Sequence, residues 1–139
     1  MAITEEQVRE FAGQWFTTVF SRQGPESQGR FFVDEDPRVF IGNGDTYTLT
    51  EHDALHDAWS YESHVMGPIE LTHINDDPER VRVSATVYWD AMPKDGDELV
   101  RTVAGEDWIL ENTPDGLKFV LYMATFFHAL PNSAESGVR

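Results

Sequence analysis

The chain has 139 residues, enough for one domain with a single hydrophobic core, and 40% of them are hydrophobic, which excludes an intrinsically disordered chain. It contains no cysteine, which excludes disulfides, thiolate zinc sites and cysteine nucleophiles. The net charge of -15 repels phosphate backbones and anionic lipids, so we expect neither nucleic acid nor a membrane as a partner. The simplest interpretation of this charge is a solvated acidic surface.

A long amphipathic helix is predicted near the amino terminus. Thr4 and Gln7 have the spacing of a capping box, and apolar residues recur every three or four positions from Val8 to Phe20. Gly24-Pro25 ends this pattern, and a short second helix is predicted at about 26–32. No apolar run is long enough to cross a bilayer, and the acidic start does not resemble a secretory signal, so we expect a cytoplasmic protein.

A hairpin and a third helix follow. The hairpin is predicted from two short β-rich runs, 38–41 and 47–49, that flank a turn at Gly42-Asn43-Gly44-Asp45. Thr50 is predicted to cap the third helix, which would end at about Trp59.

From Ile69 onward the apolar residues alternate with a period of two, which is typical of strands. Four long strands are predicted, at about 69–75, 79–91, 98–111 and 117–129. The connections between them contain proline, aspartate and glycine and are short enough for antiparallel neighbours, so a meander is the simplest topology. The polar residues 130–139 are predicted to form a loose tail.

This order of elements closely resembles the nuclear-transport-factor-2-like superfamily, including its SnoaL-like and ketosteroid-isomerase-like branches, over about residues 4–129. The local similarities are the Thr50–Leu55 entry to the third helix and the hairpin between Asp107 and Phe119. The resemblance implies one α+β domain over 1–139. Its strongly curved antiparallel sheet, a four-strand meander plus a small amino-terminal hairpin, would wrap round an apolar pocket closed by the amino-terminal helices.

Relatives by this resemblance include isomerases, dehydratases, polyketide cyclases, epoxide hydrolases and non-catalytic association domains, so the fold does not name a reaction. Ketosteroid isomerases carry a base carboxylate where this chain reads Phe40-Ile41-Gly42-Asn43. Epoxide hydrolases of this fold place an aspartate two residues after an arginine, whereas Arg101 and Arg82 are followed there by Val103 and Ser84. Neither mechanism transfers.

The register of the predicted sheet brings two polar residues together. A type I turn at 113–116 would pair Thr113 with Leu117 and Asp107 with Met123. A loop centred near Lys94 would then set Asp107 opposite Val81, and Val81 opposite His73. One row on the concave face would therefore contain His73, Val81, Asp107 and Met123. A slip of one residue would turn Trp108 inward instead.

These positions suggest a base and an acid. His73 is a natural general base, and a carboxyl group at Asp107 would have its pKa raised by an apolar cavity, as a general acid requires. The resemblance also places Asp107 at, or one residue from, the protonated acid of ketosteroid isomerases. Two alternatives stay open: Asp107 as a solvated or Arg101-paired carboxylate, and His73 as a strand-end histidine beside Asp76.

The sequence also allows predictions about the lining of the cavity and about metal binding. The residues expected to line the substrate cavity are Trp15, Tyr47, Trp59, Val83, Phe119 and Met123. His52 and His56 have a spacing that can bind metal, but His56 would turn toward solvent and no third ligand is evident, so no metal is predicted. Tyr61 and His64 are candidates for the rim of the pocket.

The sequence therefore predicts a cofactor-free general acid–base enzyme of isomerase, dehydratase or polyketide-cyclase type. Its substrate would be a small apolar organic molecule that could be cyclic, and no organic cofactor is expected because there is no glycine-rich phosphate loop. The alternative is a non-catalytic ligand-binding or association module of the same fold.

A homodimer through the convex face of the sheet is also predicted. The last strand and its neighbour would present a contiguous apolar patch on that side, made of Val120, Tyr122, Ala124, Phe126, Trp108, Leu110 and Ala104. Such a patch is larger than soluble monomers usually expose, and a two-fold dimer would bury it.

Overall fold

The computed structural model describes residues 2–42 and 44–134, so Asn43 of the predicted turn and residues 135–139 of the predicted tail lie outside it. The helices are α1 (Glu5–Phe20), α2 (Pro25–Gly29) and α3 (Leu49–Leu55), the last followed by a 3-10 turn at His56–Ala58. The strands are β1 (Arg38–Ile41), β2 (Asp45–Thr48), β3 (Trp59–Asp76), β4 (Glu79–Pro93), β5 (Val100–Thr113) and β6 (Gly116–Ala129).

The strands form one open six-stranded sheet in the order β2-β1-β6-β5-β4-β3. Strands β3 to β6 are the predicted antiparallel meander, and β1 joins it in parallel beside β6. The predicted α+β class, with a meander plus a small hairpin, is therefore confirmed. None of the helices in the described residues is long and apolar enough to span a membrane.

The amino-terminal helix forms where the sequence predicts it. The Thr4 side chain accepts a hydrogen bond from the Gln7 backbone, and the Gln7 side chain accepts one from the Thr4 backbone, which satisfies two exposed amides of the first turn. The apolar stripe of α1 is buried against the concave face of the sheet, and it consists of Val8, Phe11, Ala12, Trp15, Phe16 and Val19.

The region around α3 differs from the prediction. The helix is capped by Thr48 and not by Thr50, because the Thr48 hydroxyl accepts a hydrogen bond from the Glu51 backbone at 3.1 Å. β3 begins at Trp59, well before the predicted Ile69. The sequence hides this start because the inward positions of 59–68 include polar side chains, so hydropathy does not alternate there.

The register between β4 and β5 is also different. Asp107 lies opposite Ser84, and Val81 lies opposite Leu110, because the connection from Ala91 to Val100 is centred past Lys94. An offset by an odd number of residues exchanges the two faces of a strand. Trp108 is therefore fully buried on the concave side, and Asp107 lies on the convex side.

Two irregularities in the pairing of β5 with β6 change which residues of β6 face inward. The pairs Leu110–Phe119 and Ile109–Leu121 leave Val120 as an extra residue, a β-bulge. Because of it, Phe119 and Tyr122 both point to the concave side although they are three residues apart.

The predicted convex apolar patch is therefore wrong in its composition. Five of its members are buried, namely Tyr122, Ala124, Trp108, Leu110 and Ala104. Phe126 is 51% exposed and is the member that projects strongly from the surface.

The core fills the concave side of the sheet with aromatic rings. The ring of Trp15 lies 5.2 Å from that of Phe119 and 5.4 Å from that of Tyr122, and the ring of Trp108 lies 5.5 Å from that of Phe119. Edge-to-face pairs at such distances add roughly 1 kcal/mol each to the stabilisation from burial. This cluster holds α1 against the sheet and fixes the position of the groups between them.

Candidate functional site

The structure does not bring His73 and Asp107 together. His73 does lie opposite Val81 as predicted, but its side chain is 59% exposed and its Nε2 is 3.1 Å from the Asp76 carboxylate. Asp107 accepts hydrogen bonds from Arg82 at 2.8 Å and from Ser84 at 2.9 Å on the convex face. The prediction that both residues share one cavity is wrong, because the β4–β5 register turns Asp107 outward.

The predicted cavity residues divide into two groups. Trp15, Val83 and Phe119 are buried in the central cluster, at 1%, 0% and 0% exposure. The other three are elsewhere: Met123 shares the convex face with Asp107, Trp59 packs on Trp89 in a second cluster, and Tyr47 lies on the edge strand β2. The expectation that Met123 lines the concave side is therefore wrong.

A cluster of polar side chains lies between α3, β3 and α1, and we call His52, His56, Glu62 and His64 the histidine centre. α3 supplies His52, and the 3-10 turn after it supplies His56. Glu62 and His64 are two residues apart on β3 and lie opposite Ala91 and Trp89, so both project toward the concave side. The helix end and the strand thus place three imidazoles and a carboxylate in one region.

Hydrogen bonds connect most of this centre in a chain. His52 Nδ1 is 2.8 Å from Gln28 Oε1, and His52 Nε2 is 3.4 Å from His56 Nε2. His56 Nδ1 is 2.8 and 2.7 Å from the two carboxylate oxygens of Glu62. Trp89 Nε1 donates to Glu62 Oε1 at 3.0 Å. Burial lowers the pKa of His52 to about 3, with repulsion from His56 adding to the effect, so His52 is neutral at physiological pH.

His64 stands apart from this chain. Its ring lies 4.3 Å from that of Phe16 and 4.4 Å from that of Phe20, and its Nδ1 is buried without a hydrogen-bond partner in the described residues. Burial lowers its pKa well below the usual value, and the nearby His56 and His52 lower it further. His64 therefore presents a neutral imidazole with one nitrogen unused.

A second buried acid, Glu106, lies next to Tyr122 and close to the histidine centre. Glu106 is 4% exposed, accepts a hydrogen bond from Trp108 Nε1 at 3.0 Å and is hydrogen-bonded to Tyr122. Burial raises the pKa of Glu106 to about 7, and burial beside Glu106 raises the pKa of Tyr122 well above its usual value. The Tyr122 ring lies 6.4 Å from the His52 ring, so Glu106 is close to the histidine centre but not part of it.

A surface depression of about 320 Å³ between α1 and β3 reaches the histidine centre at Glu62 and His64. Its lining is Arg9, Gly13, Phe16, Thr17, Phe20, Tyr61, Glu62, Ser63, His64 and Met66. The predicted rim residues Tyr61 and His64 therefore do border a depression. A second one of about 470 Å³ between α1, α2 and the β5–β6 turn has no histidine in its lining.

Glu62 and Glu106 were not among the functional candidates predicted from the sequence. The usable signal was their spacing of two from His64 and from Trp108, which places each acid on the same face as an inward residue. The spacing of His52 and His56 was recognised, but only as a metal motif. In residues 2–42 and 44–134, no group of three or more histidine or acidic side chains has an arrangement that could hold a metal ion.

No protein-family model and no curated protein matches this sequence. Solved structures do resemble the chain. One is a proposed scytalone dehydratase from Novosphingobium aromaticivorans, with a TM-score of 0.71, 12% identity, and coverage of 96% of this chain and 93% of that chain.

Two other similar structures are named as a dehydratase and a dehydrochlorinase. One is a proposed dehydratase from the NTF2-like family of Streptomyces avermitilis, with a TM-score of 0.68, 13% identity, and coverage of 86% of this chain and 93% of that one. The other is the hexachlorocyclohexane dehydrochlorinase LinA-type3 from Novosphingobium barchaimii, with a TM-score of 0.66, 16% identity, and coverage of 94% and 92%.

Proposed function

We propose that this chain, which has the nuclear-transport-factor-2-like fold, is a cofactor-free enzyme that eliminates water or a similar leaving group from a small organic molecule. The observation that carries the proposal is the histidine centre at the depression between α1 and β3. It combines a neutral imidazole, His64, whose Nδ1 has no hydrogen-bond partner among the described residues, with a hydrogen-bonded His56–Glu62 pair. General acid–base catalysis needs one group that accepts a proton and one that supplies it.

In the proposed reaction, His64 Nδ1 takes a proton from a carbon next to the carbon that bears the leaving group. The C–H electron pair forms the new double bond, and the bond to the leaving oxygen breaks. A proton held by the His56–Glu62 pair passes to that oxygen, so water leaves. The proton on His64 then returns to the pair through solvent, which restores both groups. Glu62 orients the imidazole of His56 and stabilises its positive charge, as carboxylates do for catalytic histidines.

The lining of the depression indicates the substrate class. Phe16, Phe20 and Met66 make much of it apolar, and a volume of about 320 Å³ fits a molecule of one or two rings. The guanidinium of Arg9 already donates to the Gly67 carbonyl at 3.1 Å and pairs with Glu5 at 3.1 Å. Because this cation is engaged and the chain is acidic, we expect an uncharged substrate.

The similar structures point the same way by name, since dehydratases and a dehydrochlorinase both carry out eliminations. At 12 to 16% identity they support the fold, and the chemistry depends on the histidine centre of this chain.

The test begins with the chain as purified. Native mass spectrometry would identify any small molecule that co-purifies, and a panel of cyclic hydroxyketones, with scytalone among them, would be followed by absorbance of the conjugated product. On a substrate that reacts, His64→Asn and Glu62→Gln should each lower kcat/KM by roughly 100-fold.

His73→Asn and Asp107→Asn are matched controls, because both remove the same kinds of group from the surface. They should leave turnover unchanged within about threefold, a limit well below the usual effect of an acid–base group. Equal losses in all four folded variants would contradict this assignment of the site, and binding of ligands without any turnover would favour the non-catalytic module.

That module has one observation in its favour. The convex face exposes Val65, Tyr88 and Phe126 by 58%, 42% and 51%. Val65 lies directly opposite Tyr88, which makes part of this set contiguous. We propose that a second copy of the chain covers this face as a homodimer. A cytoplasmic location and the absence of nucleic-acid and membrane partners belong to the same proposal and depend on the charge of -15.

A further inference from the structure

We propose that His56 enters the reaction as an imidazolium whose Nε2–H points at His52, and that Gln28 is the positioning residue that fixes this state. The inference deepens the proposed function, because it says where the proton of the general acid is held before the substrate binds. It follows from the direction of four hydrogen bonds.

The first step is the orientation of the Gln28 amide. Gln28 is fully buried, and its Nε2 is 3.3 Å from Asp53 Oδ1. Asp53 is also paired with Arg22 at 3.1 Å, so its carboxylate offers only acceptors. The NH2 group of Gln28 must therefore face Asp53, and its carbonyl oxygen must face His52.

The second step is the tautomer of His52. Its Nδ1 lies 2.8 Å from an amide oxygen, and that oxygen can only accept, so Nδ1 carries the hydrogen. His52 is neutral, because burial keeps its pKa near 3. Its Nε2 must then present a lone pair, and this lone pair is directed at His56.

The third step places the protons on His56. The Nε2 atom of His56 is 3.4 Å from the Nε2 atom of His52, which presents a lone pair. Lone pairs on both nitrogens would repel each other at that distance. His56 Nε2 must therefore carry a hydrogen. Its Nδ1 lies 2.8 and 2.7 Å from the two oxygens of Glu62, and Oε1 of Glu62 also accepts the N–H of Trp89, which can only donate. An N–H that donates to a carboxylate commonly lies within reach of both oxygens, as His56 Nδ1 does here, so we assign a second hydrogen to His56 Nδ1.

The resulting pair is neutral overall and well shielded, since the side chains of His56 and Glu62 are 15% and 4% exposed. His52 and His64 are titratable groups close to it, and burial keeps both uncharged. A metal ion bound between His52 Nε2 and His56 Nε2 would be compatible with the same hydrogen bonds at the Nδ1 atoms of the two rings. Metal sites in proteins usually have at least three protein ligands, however, and residues 2–42 and 44–134 hold no group of three or more histidine or acidic side chains that could bind a metal ion. A shared proton fits the arrangement better.

This arrangement predicts that the Gln28 amide controls the protonation of His56 without contacting it. Without the carbonyl of Gln28, His52 can move its hydrogen to Nε2. The Nε2 of His56 must then accept, and His56 loses its second proton. Gln28 is in this sense a positioning residue, since it acts through His52.

The experiment is long-range ¹H–¹⁵N correlation spectroscopy on the full chain with ¹⁵N-labelled histidine, near neutral pH. We expect His52 as the neutral Nδ1–H tautomer and His56 with both ring nitrogens protonated. In Gln28→Met, His52 should shift toward the Nε2–H tautomer and His56 should become neutral. Gln14→Met, on the exposed side of α1, is the control and should change neither ring.

A wild-type His56 that is neutral, or a His52 that carries its hydrogen on Nε2, would overturn the proposal. A stoichiometric metal whose removal by a chelator changes both imidazole spectra would overturn it in favour of a metal site. If Gln28→Met does not fold, Asp53→Leu is a variant of similar size that removes the acceptor for the Gln28 amide, and it should shift the same two signals by a smaller amount. Unchanged signals there would also count against the proposal. None of these readouts needs a substrate, so a failure of the proposed function alone would leave the result intact.

Discussion

Glu106 and Asp107 are neighbours on β5, and they show how completely the two faces of one strand differ. Glu106 points into the core, is 4% exposed, and its pKa is raised to about 7 by burial. Asp107 points outward and forms an ion pair with Arg82 at 2.8 Å, with its side chain 25% exposed. The same chemical group is a buried acid with a raised pKa on one face and the partner of an arginine on the other. The direction of a side chain therefore decides its chemistry more than its type does.

The largest difference between the faces should appear in packing. Trp108→Ala removes a fully buried indole from the aromatic cluster, and we expect it to lower the free energy of unfolding by about 4 kcal/mol. Ile109→Ala, on the convex face one residue away, should cost about 1 kcal/mol. Urea unfolding of both variants measures this. A similar cost for the two would mean that β5 is turned the other way.

Glu106→Gln tests the inner face by pH. The pKa of Glu106 is raised in the folded chain, so its contribution to stability is complete below its unfolded value of 4.5 and is lost as the pH rises through about 7. A neutral amide of the same shape avoids that loss. We expect Glu106→Gln to be more stable than wild type by about 3 kcal/mol near pH 8 and about equally stable near pH 4. Unfolding curves at both pH values, with Asp107→Asn as control, decide it.

The convex face should affect assembly more than folding. Tyr88→Asp places a charge in the exposed apolar area and should weaken the proposed homodimer at least roughly tenfold, with an unchanged circular dichroism spectrum. Leu55→Asp is the control, because Leu55 is 44% exposed on α3, away from that face. Added salt should strengthen the dimer, since it screens the charge of -15 on each chain.

Light scattering would measure this assembly. A wild-type mass of 15.8 kDa at high salt and micromolar concentration would exclude the dimer. Tyr122→Asp is not a suitable probe, since Tyr122 is buried in the core and a charge there would unfold the chain.

The smallest effect is expected at Asp107 itself. Asp107→Asn removes one charge of a partly exposed ion pair but keeps the shape of the side chain, so the free energy of unfolding should change by less than about 1 kcal/mol. If thermal or urea unfolding showed that the free energy of unfolding falls by several kcal/mol, the Arg82–Asp107 pair would be structural. The concave and convex faces of β5 would then differ less in their contribution to stability.

Much of the fold could be predicted because its signals are local. The capping box of Thr4, the apolar stripe of α1 and the period-two pattern of β4 each depend on residues close in sequence. The pairing of Asp107 with Met123 and of His73 with Val81 was also correct, but not because of the turns. The predicted pair Thr113–Leu117 was wrong, since Thr113 lies opposite Gly116, and the bulge at Val120 restores the predicted register at Asp107. An irregularity at Ile74 likewise restores it at His73.

Which residues of each strand face the core could not be predicted, because this depends on register shifts that add up along many residues. The β4–β5 connection has no tight turn to fix its centre, and one odd offset exchanged Asp107 for Trp108. The bulge at Val120 changes the alternation of β6 without any sign in hydropathy. The histidine centre was missed for a related reason: Glu62 and His64 are polar residues on an inward face, which breaks the pattern that identifies a strand.

The long third strand has a consequence for solubility. β3 (Trp59–Asp76) is an outer strand of an open sheet, and such an edge offers unpaired amides and carbonyls to other chains. Its pairing with β4 is interrupted in three places, and Pro68 lies in the interruption between Met66 and Ile69. Proline has no amide hydrogen to donate, and bulges bend a strand away from flat neighbours. We therefore expect these interruptions to make the edge a poor template for β-type aggregation.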